Sequence, residues 1–264
     1  MILAGNLIFA NSQSKYFTIL EKKLITIGIS MDYPPLHMYD KKTKRHTGIE
    51  IDMAEELAKF LDVKIKFVRL AVSDYTKAIV EKKVDIVISG MSRNLNRSKT
   101  IWFSDPYYSI SPSVIIETAK LPQTEFGEYF EEDAFSTIWD LKRLSKVNLS
   151  AKRGSTHYSL FKSNFSNVTL TEVNTNKAGL ATLFTGKVSG FAHDSLYLEY
   201  LVKENPSWKS RYTLLTGGTR EEYLCIGVPF GDIILLRQLN TWISEIKRTG
   251  KLKEIVKKHL GAVK

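Results

Sequence analysis

The chain has a single cysteine, Cys225, and five histidines scattered without H-x-x-x-H or H-x-H spacing. One cysteine excludes an intramolecular disulfide and a Cys-rich metal site, and the histidine spacing argues against zinc. No cofactor is expected. The glycine loops of nucleotide sites are missing too, since neither G-x-x-x-x-G-K-[ST] nor G-x-G-x-x-G occurs. Long apolar runs are absent: a membrane-crossing helix needs about 20 such residues. The first ten, MILAGNLIFA, are too few. They read as the later part of a secretory h-region with a cleavage point near Ala10, lacking the positively charged n-region. Residues 1–22 are therefore set apart as a signal remnant and N-terminal arm. Acidic residues are outnumbered, 28 against 38 Lys and Arg, for a net charge of +10. The lysines are dispersed and no nucleic-acid motif accompanies them, so they form a solvated basic surface with no nucleic-acid partner.

What is present is α/β patterning. At 264 residues, with 43% hydrophobic and 25% charged, the chain can build one large or two modest domains. Val84–Ile88 is a short apolar, β-branched run that reads as a buried parallel strand. Ser89 and Gly90 follow it, and Gly90 lets the chain turn. Asn94 can cap a new helix, which puts Arg97 in the first turn. A cation there opposes the helix dipole unless an anion faces it, held by Arg97, backbone N–H groups and a hydroxyl such as Ser92. An isolated Arg near a helix start is more often solvated. This one follows the carboxyl end of a buried strand, where open α/β sheets bind ligands.

Around that stretch the alternation repeats. Leu24–Ile29 is a strand stopped by Asp32-Tyr33-Pro34-Pro35, and Tyr33 on this stiff loop is either an aromatic wall or a packed loop residue. Met53, Leu57, Phe60 and Leu61 form one helical stripe, Val63–Phe67 a second strand, and residues 74–82 a helix. Ser113–Glu117 is strand-like, and residues 118–135 read as an acidic loop. A second series follows: helix Thr137–Leu144, strand Val147–Ala151, helix His157–Ser163 and strand Val168–Val173. Helix Asn176–Phe184, strand Val188–Ala192 and helix Ser195–Lys203 continue it. Strand Tyr223–Val228, a helix over 232–248 and the basic helix Leu252–His259 close the chain. Gly154-Ser155-Thr156 lies between a strand and a helix, so its N–H groups either receive an anion or do ordinary capping. Asp194 either caps the helix from Ser195 or pairs with an ammonium at a cleft rim.

Taken together, I-G-I-S-M-D-Y-P-P-L, G-I-E-I-D-M-A-E-E-L, K-V-D-I-V-I-S-G-M-S with Arg97 beyond, and W-F-S-D-P-Y-Y resemble a known family. It is that of the periplasmic solute-binding proteins serving ABC importers of polar amino acids, the bacterial extracellular solute-binding proteins of family 3. The resemblance runs from Leu24 to Leu260. It implies an α/β, two-lobed periplasmic binding protein type II fold, with two sheets joined by crossings near 109–112 and 215–221. Lobe 1 would take residues 23–110 and 216–264, lobe 2 residues 111–215. Arg97 would hold a ligand α-carboxylate, helped by Ser92, Ser155 and the Thr156 backbone. Asp194 would take the α-ammonium with the Gly90 carbonyl, while Tyr33 packs on the ligand side chain beside Ser89. The implied partners are a free amino acid and an inner-membrane ABC permease, and the protein would be a periplasmic monomer.

Two departures bear on the ligand. Some binders of basic amino acids carry Asp where this chain has Ser30; Asp74 or Glu50 are the candidate replacements, and a basic ligand such as arginine is slightly favoured. The acidic loop 118–135 is longer than the family usually shows. The alternative is an enzyme resembling cyclohexadienyl dehydratase on the same fold. That enzyme places a Glu after its glycine turn, whereas this chain has His157, and a His in a helix first turn is more often on the surface.

Overall fold

The computed structural model describes residues 14–40, 42–122, 135–218 and 221–260. Its elements in chain order begin with helix α1 (Lys15–Lys22), strands β1 (Leu24–Ile29), β2 (Met38–Asp40) and β3 (Arg45–Thr47), and helix α2 (Ile49–Leu61). Strand β4 (Lys64–Arg69), helix α3 (Tyr75–Val80), strand β5 (Ile86–Val87) and helix α4 (Leu95–Ser98) come next. Strands β6 (Ile101–Phe103), β7 (Tyr108–Ile110), β8 (Pro112–Glu117) and β9 (Val147–Lys152) lead to helix α5 (Thr156–Asn164). Then come β10 (Val168–Val173), α6 (Asn176–Phe184), β11 (Gly190–Asp194), α7 (Ser195–Glu204) and β12 (Tyr212–Leu215). Strands β13 (Glu222–Leu224) and β14 (Gly227–Pro229) precede helices α8 (Ile233–Arg248) and α9 (Lys251–Leu260).

Two five-stranded sheets result, ordered β4-β1-β5-β14-β6 and β10-β9-β11-β8-β12. In the first, β1 pairs in parallel with β4 and β5, while β14 runs antiparallel to β5 and β6. In the second, β9 pairs in parallel with β10 and β11, while β8 runs antiparallel to β11 and β12. The strands buried on both faces read as continuous apolar runs, as helix-covered parallel sheets require. Ile25, Ile27, Ile86 and Val228 are sealed under Met53 and Leu57 of α2 and Leu239, Trp242 and Ile243 of α8. Leu149, Ala151, Ile116 and Ala192 pack with Leu160 and Phe161 of α5. The lobes are joined by an antiparallel ribbon in which Leu224 of β13 faces Tyr108 of β7.

This arrangement turns the carboxyl ends of β1 and β5 toward those of β9 and β11, and the cleft lies between them. Several elements differ from the sequence expectation. Tyr223–Val228 is split: its first part pairs with β7 in the ribbon, and Gly227–Pro229 inserts between β5 and β6. The first-sheet strand keeps only Ile86–Val87, and β11 lies two residues later than expected, which makes Asp194 its last residue. Thr137–Leu144 forms a tight 3-10 helix, Ile138–Arg143, held by a capping box between Thr137 and Asp140. Helix α1 and the β2–β3 hairpin were not foreseen. Residues 1–10 and 123–134, most of the acidic loop, lie outside the described residues.

Candidate functional site

Arg97 is placed by local chemistry. Gly90 adopts φ +55°, and a Cβ there would fall 2.3 Å from the Tyr33 ring, so glycine is required for both backbone and space. Asn94 then caps α4, its side-chain oxygen accepting from Arg97 N at 2.9 Å. The half-buried guanidinium donates to Ser92 O at 2.7 Å on its own lobe and to Gly154 O at 2.9 Å on the other. Desolvation lowers its pKa from the ordinary arginine value.

Opposite it, Asp194 ends β11 and caps α7, with Oδ1 accepting from Tyr197 N at 2.9 Å. The two readings of Asp194 are thus compatible, because capping uses one oxygen and leaves Oδ2 toward the cleft. The Tyr33 hydroxyl donates to Oδ2. His193 Nδ1 lies 2.9 Å and His157 Nε2 3.8 Å from the same oxygen. Asp194 is 1% exposed, and this burial pushes its carboxyl up to about 8. Burial acts the other way on His157 and His193, holding both below the usual imidazole range.

A third group crosses the cleft. Lys152, at the end of β9, donates from Nζ to Asp32 Oδ1 at 2.8 Å, and Asn176 N and Nδ2 donate to Asp32 Oδ2 and O at 3.2 and 2.8 Å. Burial would raise the Asp32 pKa, but the Lys152 charge and these hydrogen bonds outweigh it and hold the carboxyl low. Thr156 Oγ1 donates to Glu222 Oε2 at 2.6 Å on the ribbon. The lobes thus meet through several polar contacts around a cavity of about 30 Å³. That volume holds one water rather than an amino acid, so the lobes must part to admit a larger ligand.

All eight residues singled out in the sequence line this one cavity: Tyr33, Ser89, Gly90, Ser92, Arg97, Ser155, Thr156 and Asp194. Lys152, His157 and His193 line it as well. His157 is 6% exposed, which corrects its expected surface position. The two carboxylates considered for a cationic side chain do not reach the cavity. Asp74 is exposed, and Glu50 is sealed behind Gly90, whose N–H it accepts at 2.6 Å. Asp32 and Lys152 were missed; their signal was position alone, each lying at or just past the carboxyl end of a strand. The Ser155 hydroxyl caps α5 through Tyr158 N at 3.1 Å, while Thr156 opens that helix.

The sequence model of the bacterial extracellular solute-binding proteins, family 3, matches residues 25–262. The chain belongs to that family. ABC transporter arginine-binding protein 1 of Escherichia coli is similar, 26% identical over 88% of this chain and 88% of its own length. A solved structure of the solute receptors for L-cysteine of Neisseria gonorrhoeae superposes with a TM-score of 0.80. It is 25% identical, and the match covers 94% of each chain. Cyclohexadienyl dehydratase of Pseudomonas aeruginosa is similar over a shorter stretch, 30% identical across 36% of each chain. Among the described residues no helix is long and apolar enough to cross a membrane. As a member of family 3, this protein has the two-lobed binding fold described above.

Proposed function

We propose that this family 3 protein is a receptor that captures a polar L-amino acid in the periplasm and, as a monomer, delivers it to an inner-membrane ABC permease. One observation carries the reading: Arg97 and Asp194, a guanidinium and a carboxyl on opposite lobes, line the same cavity. A desolvated zwitterion needs both of its charges paired, and the guanidinium fork matches a carboxylate. Residues 23–110 with 216–264 would form the lobe carrying Arg97, and 111–215 the lobe carrying Asp194. Because the pair is divided between lobes, ligand stabilises the closed form by its difference in affinity for the two states.

Lys152 turns the lean toward a basic side chain around. With Lys152 and Asp32 neutralising each other and Arg97 and Asp194 meeting the zwitterion, a further cation on the ligand would meet no other carboxylate among the described residues that line the cavity. A neutral polar side chain fits this balance. The second reading is an enzyme resembling cyclohexadienyl dehydratase, favoured by the burial of His157 in the cavity.

A thermal-shift screen against the twenty amino acids and prephenate separates the two readings, since a selective ligand raises the melting temperature with its concentration. Stabilisation by neutral amino acids supports the receptor, and a shift with prephenate alone supports the enzyme. Retention of amino-acid affinity in Arg97→Ala would overturn the site.

A further inference from the structure

Hydrogen bonds around His193 fix which of its nitrogens is bare. Asn176 Nδ2 donates to Asp32 O at 2.8 Å, so the amide cannot be flipped without setting two carbonyl oxygens against each other. Its Oδ1 is therefore an acceptor toward His193 Nε2 at 3.2 Å, and Nε2 carries the hydrogen. In the neutral ring Nδ1 is left as a lone pair, 2.9 Å from the carboxylate oxygen Asp194 Oδ2. Two acceptors at that distance call for something positive between them. His157 Nε2 supplies a third acceptor 3.8 Å from the same oxygen, and its Nδ1 has no hydrogen-bond partner among the described residues.

The spacing distinguishes the occupants. An ammonium with hydrogen bonds near 2.9 Å would spread three acceptors to about 4.7 Å apart. A tetrahedral ion bound at about 2.0–2.1 Å sets its ligands about 3.3 Å apart. The two distances to Asp194 Oδ2, 2.9 and 3.8 Å, bracket the second value, while the 4.8 Å limit within which all three ligand atoms lie admits either occupant. A shared proton would satisfy His193 and Asp194 but leave His157 out. The second contact of His193, its N–H on a side-chain carbonyl, is the kind that orients metal-bound imidazoles.

We propose that His157, His193 and Asp194 form a binding site for a divalent transition-metal ion of the zinc, cobalt or nickel class. Two imidazoles and one carboxylate suit these ions and do not suit magnesium or calcium. The ion takes the place an ammonium would occupy at Asp194, so the two exclude each other there. The site stands on its own geometry and does not depend on the receptor reading.

The test is titration of the full chain, stripped with EDTA, with CoCl2 followed by visible absorption and with ZnCl2 followed by calorimetry. The expected result is saturation at one equivalent with the absorption bands of four-coordinate cobalt. His157→Gln and His193→Gln should each weaken binding by at least about tenfold. NMR of 15N-histidine-labelled wild-type protein provides a check that does not rely on the variants folding: zinc should shift the His193 Nδ1 resonance. Absence of saturable binding, undiminished affinity in both folded variants, or an unmoved His193 resonance at saturation would overturn the site. No amino acid enters these measurements, so their failure leaves the receptor reading intact, and failure of the amino-acid screen leaves the metal site intact.

Discussion

Each lobe buries a carboxylate beside a histidine at the back of the cleft, and the two pairs behave differently. In the first lobe Glu50, in the first turn of α2, accepts from Gly90 N at 2.6 Å and from the Tyr107 hydroxyl, with His37 Nε2 3.3 Å away. In the second lobe Asp194 has Tyr33, His193 and His157 around it. Burial raises both carboxyls, Glu50 to about 7 and Asp194 to about 8, and drives His37 down to about 3. Yet Glu50 and His37 do not line the cavity, whereas Asp194 and His193 do. A perturbed carboxyl therefore does not mark a site by itself. Glu50 braces the turn at Gly90, whereas Asp194 keeps one oxygen on the cavity, where the Tyr33 hydroxyl of the facing lobe donates to it.

The strongest way to break this comparison is to neutralise each carboxylate in turn. Asp194→Asn keeps an oxygen to cap α7 but removes the charge that would pair with an ammonium. Losing one partner of such a buried pair costs roughly 2–5 kcal/mol, so amino-acid affinity measured by calorimetry should fall about 30-fold or more. The melting temperature without ligand should change little.

Lys152→Met tests the third charged group. It leaves Asp32 without its counter-charge, and at 18% side-chain exposure Asp32 is only partly relieved by solvent. Unfolding in urea should show a loss of about 3 kcal/mol. In the thermal screen this variant should gain stabilisation by arginine or lysine that the wild type lacks. If the wild type already binds arginine, the charge balance drawn around Lys152 is wrong.

Glu50→Gln should act on stability and spare binding. In the folded chain Glu50 holds its proton up to about 7, while unfolded it loses it near 4.5. Between those values the native state binds the extra proton, so this group's contribution to stability falls as pH rises and levels off above 7. Glutamine removes that loss, and the variant should exceed the wild type by up to about 3 kcal/mol at pH 8, with no gain at pH 4. Ligand affinity should stay within about threefold, because the amide still accepts from Gly90 and Tyr107.

Local chemistry was readable in the sequence where neighbours in the chain do the work. Asn94 and Arg97 are three residues apart, and the cap between them follows from residue type alone. Most of the apolar strands and their grouping into two α/β series were equally legible. What escaped depends on distant partners. Lys152 and Asp32 are 120 residues apart, and Asn176 and Asp32 are 144 apart, so no periodicity announces them. Tyr223–Val228 looks like one strand because apolar alternation is the same whether a residue joins a ribbon or a sheet. His157 was expected at the surface because helix position was readable and the facing lobe was not. Most of the cavity wall was legible, Arg97 and Asp194 included; the Lys152–Asp32 pair beside them was not.

Ser155 separates structure from binding most finely. Its Oγ accepts from Tyr158 N at 3.1 Å, so a lone pair is committed to capping α5 while the hydroxyl hydrogen stays free to reach a ligand carboxylate. Ser155→Ala removes both and should cost about 1 kcal/mol of stability through the lost cap. Ser155→Asp restores a capping oxygen, favoured further by the helix dipole, but turns the free donor into a negative charge beside the cleft. If Ser155 serves only the helix, the Asp variant recovers stability in urea and amino-acid binding together. If its hydroxyl also meets the ligand carboxylate, as Arg97 on the facing wall implies, the Asp variant recovers stability and loses binding further, because two like charges then share one desolvated space.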